Sequence, residues 1–136
     1  MKTKTKSLTT KREALVHFFQ QMDIEMIDLL LTDAPTYQDF PKEVFIEKLS
    51  RTFQQFQEKG DTFLNAVQGA CGNCDKSKNG FMFIGNNSKQ YMSILFDMEG
   101  NCAKDVYECA QMKINYQGID RTNQLWIQPF NLDLPF

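Results

Sequence analysis

The sequence predicts a single α+β domain, with two or three N-terminal helices packed on a curved antiparallel sheet. Three observations predict it. Apolar residues recur at helical spacing through roughly the first sixty positions; residues 61–113 then alternate apolar and polar in four short runs; and the composition is that of one globular core. A chain of 136 residues buries enough surface on folding to need no metal or disulfide, and its 42% hydrophobic content with twelve Phe excludes a disordered polymer.

The first helix is announced by Thr10 and Glu13, whose T-x-x-E spacing lets each side chain bond the other's backbone amide. Leu15, Phe18, Phe19 and Met22 follow at helical spacing, and Met26, Leu29 and Leu30 continue the stripe. Polar residues from Gln20 to Asp23 interrupt it, so Asp23 is expected to cap a second short helix. His17, the only histidine, falls about 200° around the helix from Leu15 at ~100° per residue and is expected away from the buried face.

Residues 32–41, TDAPTYQDFP, read as a loop delivering Tyr37 and Phe40 to a long helix from about Pro41 to Lys59. Phe45, Leu49, Phe53 and Phe56 form that helix's inward stripe, widened by Ile46, and Lys59-Gly60 is its stop. The meander follows, with turns at Gly72, Asn73 and Asp75 to Gly80, at Gly85 to Lys89, and at Glu99 to Asn101. In its third strand Met92, Ile94, Phe96 and Met98 share the core side, and Tyr91, Ser93, Leu95 and Asp97 the other. The second strand is apolar on both faces, Phe81 and Phe83 against Met82 and Ile84, so a cover is required. The candidates are the chain's own C-terminal segment, containing Leu125, Trp126, Ile127 and Phe130, and a second copy of the chain.

Charge narrows the partners. Five basic residues and no acids precede Glu13, leaving ten basic and seventeen acidic residues in the body, a balance that repels nucleic-acid backbones. Residues 1–9 are expected to be a flexible basic tail, residues 10–128 the domain and residues 129–136 an extended C-terminal tail. No apolar run approaches the ~20 residues of a membrane span and no secretory leader is recognisable, so a cytoplasmic protein with no membrane or nucleic-acid partner is expected.

The four cysteines all lie in the meander. Cys71 and Cys74 have the C-x-x-C spacing of half a zinc site, but Cys102 and Cys109, an odd number of positions apart, point to opposite faces of a regular strand. Cys71, Cys74 and Cys109 with a water are therefore the candidate metal set, beside a reversible Cys71–Cys74 disulfide and reduced structural cysteines. No other cofactor is implied. For acid–base chemistry the candidates are Tyr37, Asp39, Tyr91, Asp97, Asp105 and Tyr107, which could converge as an Asp-Tyr pair only if their strand face lined a pocket.

The capped helix in two pieces, the proline-containing loop with Tyr37, the helix ending at Lys59-Gly60 and the meander together resemble the nuclear transport factor 2-like superfamily over residues 10 to about 128. The resemblance implies a cone in which a curved sheet wraps a long helix around an apolar cavity, often dimeric through the sheet. That superfamily includes ketosteroid-isomerase-like and polyketide-cyclase-like enzymes, small-ligand binders and protein-interaction domains, so the fold alone leaves function open. The leading expectation is a non-enzymatic binding or interaction domain, homodimeric, taking a small apolar ligand against some of Phe18, Met22, Tyr37, Phe40, Phe45, Phe53, Ile94 and Phe96. A cofactor-free isomerase or cyclase and a small zinc-stabilised structural domain are the alternatives.

Overall fold

The computed structural model describes residues 10–68, 79–108, 125 and 127. Helices α1 (Lys11–Gln21) and α2 (Ile24–Leu30) lead into a two-strand hairpin, β1 (Thr36–Tyr37) and β2 (Phe40–Pro41). Helix α3 (Lys42–Glu58) then precedes a four-stranded antiparallel meander of β3 (Leu64–Gln68), β4 (Gly80–Gly85), β5 (Tyr91–Glu99) and β6 (Cys102–Glu108), in that spatial order. The α+β class expected from the pattern is the one found.

Helix α1 starts as its sequence dictates. Thr10 accepts the Glu13 amide and the Glu13 carboxylate accepts the Thr10 amide, satisfying two donors that helix geometry leaves without partners. It ends at Met22, whose φ of 55° places a non-glycine residue in the left-handed region. There the Asp23 amide donates to the Phe18 carbonyl and the Met22 amide to the Phe19 carbonyl, the paired bonds of a Schellman stop. Asp23 at once caps α2 by accepting the Met26 amide. This break resets the helical phase: Ile27 and Leu31 are buried, while Leu29, expected inward, is 69% exposed.

Helix α3 ends with the same device, Asp61 donating to Phe56 and Gly60 to Gln57, with Gly60 at φ 92°. Asp61 is then buried and accepts the amides of Asn87 and Ser88 and the Ser88 hydroxyl, which fixes the β4–β5 turn onto the helix end. Gly85 has to be glycine, since a Cβ there would collide with the Asp61 carboxylate.

Helices and sheet meet at Phe19. Its ring stacks on Phe83 of β4 at 5.2 Å and meets Phe96 of β5 and Phe53 of α3 edge-on at 5.3 and 5.8 Å. Phe45, Leu49, Phe53 and Phe56 are buried along α3, and Met92, Ile94 and Phe96 along β5, as their spacing predicts. His17 is half-buried against the Phe18 ring at 4.9 Å. On the other side of the sheet Met82, Tyr91, Ser93 and Leu95 are buried as well, within the single chain. Ile127 is buried in the core, and the Leu125 amide bonds the Tyr91 carbonyl. No helix among the described residues is long and apolar enough to cross a membrane.

Phe19→Ala removes the ring shared by three elements and should lower the free energy of unfolding by about 3–5 kcal/mol. Equilibrium urea unfolding measures this; a loss under ~1 kcal/mol would show that Phe19 is not central to the core.

Candidate functional site

Residues 36–41 form a hairpin where a loop was expected. Thr36 faces Pro41 and Tyr37 faces Phe40, leaving the two-residue turn Gln38-Asp39 with φ of 53° and 64°. A two-residue hairpin turn with both central φ positive suits Asn-Gly, so Gln and Asp sit there at a cost of about 1–2 kcal/mol per residue. External bonds hold the hairpin in place. The Tyr37 hydroxyl accepts the amides of Asp33 and Ala34, and the Gln38 amide donates to Asp105 Oδ1 at 2.8 Å.

Gln38 joins three segments. Its Oε1 accepts the Glu108 amide at 2.8 Å and its Nε2 donates to the Ile127 carbonyl at 3.0 Å. The Ile127 amide completes a ring by donating to Glu108 Oε1 at 2.7 Å. Along the edge of β6 away from β5, three amides are taken by side chains, Ala103 by Asp33, Val106 by Asp105 and Glu108 by Gln38. A capped edge is a poor template for strand addition. Asp33 also accepts Lys11 Nζ at 2.8 Å, and that bond, with the Ala103 amide, holds its carboxyl below the usual range.

Strand β6 carries different chemistry on its two faces. Asp105 lies opposite Asp97 and Tyr107 opposite Leu95, so these share the side away from the aromatic core. Burial pushes the Asp105 carboxyl up, the Gln38 and Val106 amides pull it down, and the negative charges of Asp39 and Asp97 raise it again. Lys104 is the extra residue at a bulge opposite Asp97 and Met98, after which Val106 faces Phe96 and Glu108 faces Ile94. Glu108 therefore stands on the core face. Burial raises its carboxyl to about 8, against the smaller opposing effect of the Ile127 amide. Its Oε2 is buried and has no hydrogen-bond partner among the described residues.

At neutral pH such a carboxyl is protonated. Because Oε1 accepts from Ile127, Oε2 carries the proton and offers an O–H donor on an apolar face. Above its raised pKa the same group is a buried base.

The structure places all eight expected pocket residues in or against one hydrophobic cluster. Tyr37, Phe45, Phe53, Ile94 and Phe96 are at most 2% exposed, Met22 is buried, and Phe18 and Phe40 pack at the margin. Tyr37 meets Phe45 at 5.8 Å, and Phe40 lies under Lys48 Nζ at 5.2 Å. Of the Asp-Tyr candidates, Asp97, Asp105 and Tyr107 are neighbours on the face away from the aromatic core, and the others lie apart. Tyr37 is engaged with its own loop, Asp39 is exposed at the turn, and Tyr91 stands six residues from Asp97, some 20 Å along a strand at ~3.3 Å per residue. Asp105 and Tyr107 are neighbours on one face, but Asp105 Oδ1 is occupied by two amides. Glu108 was missed because a charged residue in an alternating strand reads as outward; continuing the two-residue period from Val106 would have found it.

Two other places carry less chemistry. Cys71, Cys74 and Cys109 lie outside the described residues, Cys102 is exposed, and no group of three or more His, Cys, Asp or Glu among the described residues could hold a metal. A groove of about 600 Å³ at the start of α1 is lined by Thr10, Arg12, Glu13, Asn79, Met98, Gly100 and Asn101. Its amides are already engaged, Lys11 with Asn101 and Glu13 with Thr10, and Arg12 bonds Asn79. No family model, no curated protein and no solved structure shows a significant match to the chain.

Asp39→Gly relieves the left-handed strain and removes one charge acting on Asp105, so it should stabilise the fold by roughly 0.5–1 kcal/mol. Thermal unfolding checks the sign; a lower Tm would mean that the Asp39 side chain itself holds the turn.

Proposed function

We propose that the protein is a non-enzymatic binding domain whose core face accepts a small, mostly apolar molecule, with Glu108 as the polar group that orients it. One observation carries the reading: a buried carboxyl, neutral at physiological pH, stands beside Ile94 with one oxygen bonded to Ile127 and the other unsatisfied among the described residues. Strongly shifted, desolvated groups of this kind concentrate at binding and catalytic sites. The nuclear transport factor 2-like arrangement is supported by the order of elements, paired short helices, hairpin, long helix and four-stranded meander, with the hairpin against β6.

The single chain is the binding unit in this reading, because burial of Met82, Tyr91, Ser93 and Leu95 leaves little apolar sheet face for the homodimer expected above. Catalysis by an Asp-Tyr pair has less support, since Asp97, Asp105 and Tyr107 share the face opposite the aromatic cluster.

Titration with the neutral probe Nile red tests the proposal. Saturable binding with blue-shifted emission is expected, abolished by Ile94→Trp in a variant that keeps the wild-type Tm. Absent or unsaturable binding, or binding indifferent to Ile94→Trp, would contradict it.

A further inference from the structure

Asn79 and Gly80 stand where the chain enters β4. In such a pair the backbone nitrogen of the second residue can attack the side-chain carbonyl of the first, and glycine has no Cβ to shield that nitrogen. The ladder sets the direction of the Gly80 amide. Because the Gly85 amide donates to Gln90 and the Asn86 amide to Phe63, antiparallel alternation points the amides of Phe81, Phe83 and Gly85 to β5 and those of Gly80, Met82 and Ile84 to β3. Gly80 lies one residue beyond the last β3–β4 pair, Gln68 with Phe81, so its amide stands at the mouth of that ladder and not within it. On the side-chain end, Arg12 Nη1 donates to Asn79 Oδ1 at 3.0 Å. We propose that Asn79-Gly80 is a self-modification site, at which the Asn79 amide is lost as ammonia and the carboxylate that replaces it pairs with Arg12 at the start of α1.

The reaction needs only water. The Gly80 nitrogen gives its proton to water and attacks Asn79 Cγ; the Cγ–Nδ2 bond breaks, the leaving nitrogen takes up a proton, ammonia departs and a five-membered imide closes. Water then opens the imide at one of its two C–N bonds. Opening at Cγ restores the main chain and leaves aspartate, whereas opening at the Asn79 backbone carbonyl carbon routes the chain through the side chain and leaves isoaspartate. The sum is asparagine plus water giving aspartate plus ammonia.

Arg12 acts on both ends of this sequence. During attack negative charge gathers on Oδ1, where the guanidinium already donates, and a donor preorganised at the atom that gains charge lowers the barrier. In the aspartate product the same bond becomes charge-assisted, beside the helix end whose dipole favours an anion. Glu13 lines the same groove, with its carboxylate turned to the Thr10 amide. Isoaspartate would insert a main-chain carbon just before Phe81, which is paired with both Gln68 and Ile94, so the fold favours aspartate.

The chain supplies its own comparison. Asn86 and Asn87 also lie in a turn, but the amides that would attack them, those of Asn87 and Ser88, each donate to the buried Asp61 Oδ1 at 2.7 Å. A nitrogen tied to a carboxylate is a poor nucleophile, so β4 begins at a convertible asparagine and is followed by two protected ones. The site does not depend on what the core face binds.

Incubation of the full chain in heavy-oxygen water at neutral and mildly alkaline pH, followed by tryptic digestion and fragment mass spectrometry, tests the site. Asn79, Asn86 and Asn87 fall in one tryptic peptide, residues 79–89, so its fragments locate the label directly. Label is expected at residue 79 several-fold faster than at 86 or 87, accelerating with pH and mostly as aspartate. It should slow several-fold in Arg12→Gln, with Arg12→Lys in between. Asn79→Asp, the product made directly, should raise Tm in the wild-type background and not beside Arg12→Gln. Labelling at 79 no faster than at 86 and 87 would overturn the site. A rate indifferent to Arg12→Gln, or a lower Tm in Asn79→Asp, would overturn the pairing with Arg12.

Discussion

The Phe19 side chain is the contact on which the architecture depends. It is the residue of α1 that touches α3 and two central strands at once, and the distances of 5.2–5.8 Å to Phe53, Phe83 and Phe96 leave each ring in an offset or edge-on arrangement. Such pairs favour one mutual orientation as well as burial, so the helices are set in angle and not merely in proximity. The two Schellman stops then direct the chain away from each helix within a residue or two, toward α2 and toward the β3 strand.

Away from this aromatic centre the chain uses polar side chains to do what backbone ladders do elsewhere. Asp33, Asp105 and Gln38 take amides of β6 on its side away from β5, Asp61 holds the β4–β5 turn, and Glu108 with Gln38 bonds Ile127. These bonds satisfy buried backbone amides, a condition any folded chain must meet. At Glu108 the arrangement leaves one carboxyl oxygen unmatched on an otherwise apolar face. That mismatch separates the β6 end of the core from the rest of it, and the binding proposal starts there.

Much of the fold could be read from the residues. Thr10-Lys-Arg-Glu13 fixed the start of α1, the spacing of Phe45, Leu49, Phe53 and Phe56 fixed the inward face of α3, and alternation from Tyr91 to Asp97 fixed the faces of β5. The failures have physical causes. Met22 takes a left-handed conformation that its identity does not announce, so the phase of α2 and the exposure of Leu29 were hidden. Gln38-Asp39 lacks the Asn-Gly signature of its turn because its stability comes from Asp105 and Ile127, distant in sequence. Glu108 keeps the two-residue period of Val106, but a charged side chain reads as outward, and the bulge at Lys104 breaks the alternation from Ala103 that would have set the phase. Thus the candidate pocket residues were legible as a cluster, whereas the polar group among them was not.

The central claim is that Glu108 is a buried, neutral acid on the apolar face of the sheet. Its carboxyl carbon, observed by NMR through a pH titration of the full chain and assigned with Glu108→Gln, reports the ionisation directly. The structure calls for a midpoint near 8. A midpoint near the ordinary glutamate value of 4.5 would mean that water reaches the carboxyl, and the binding face as described would not survive.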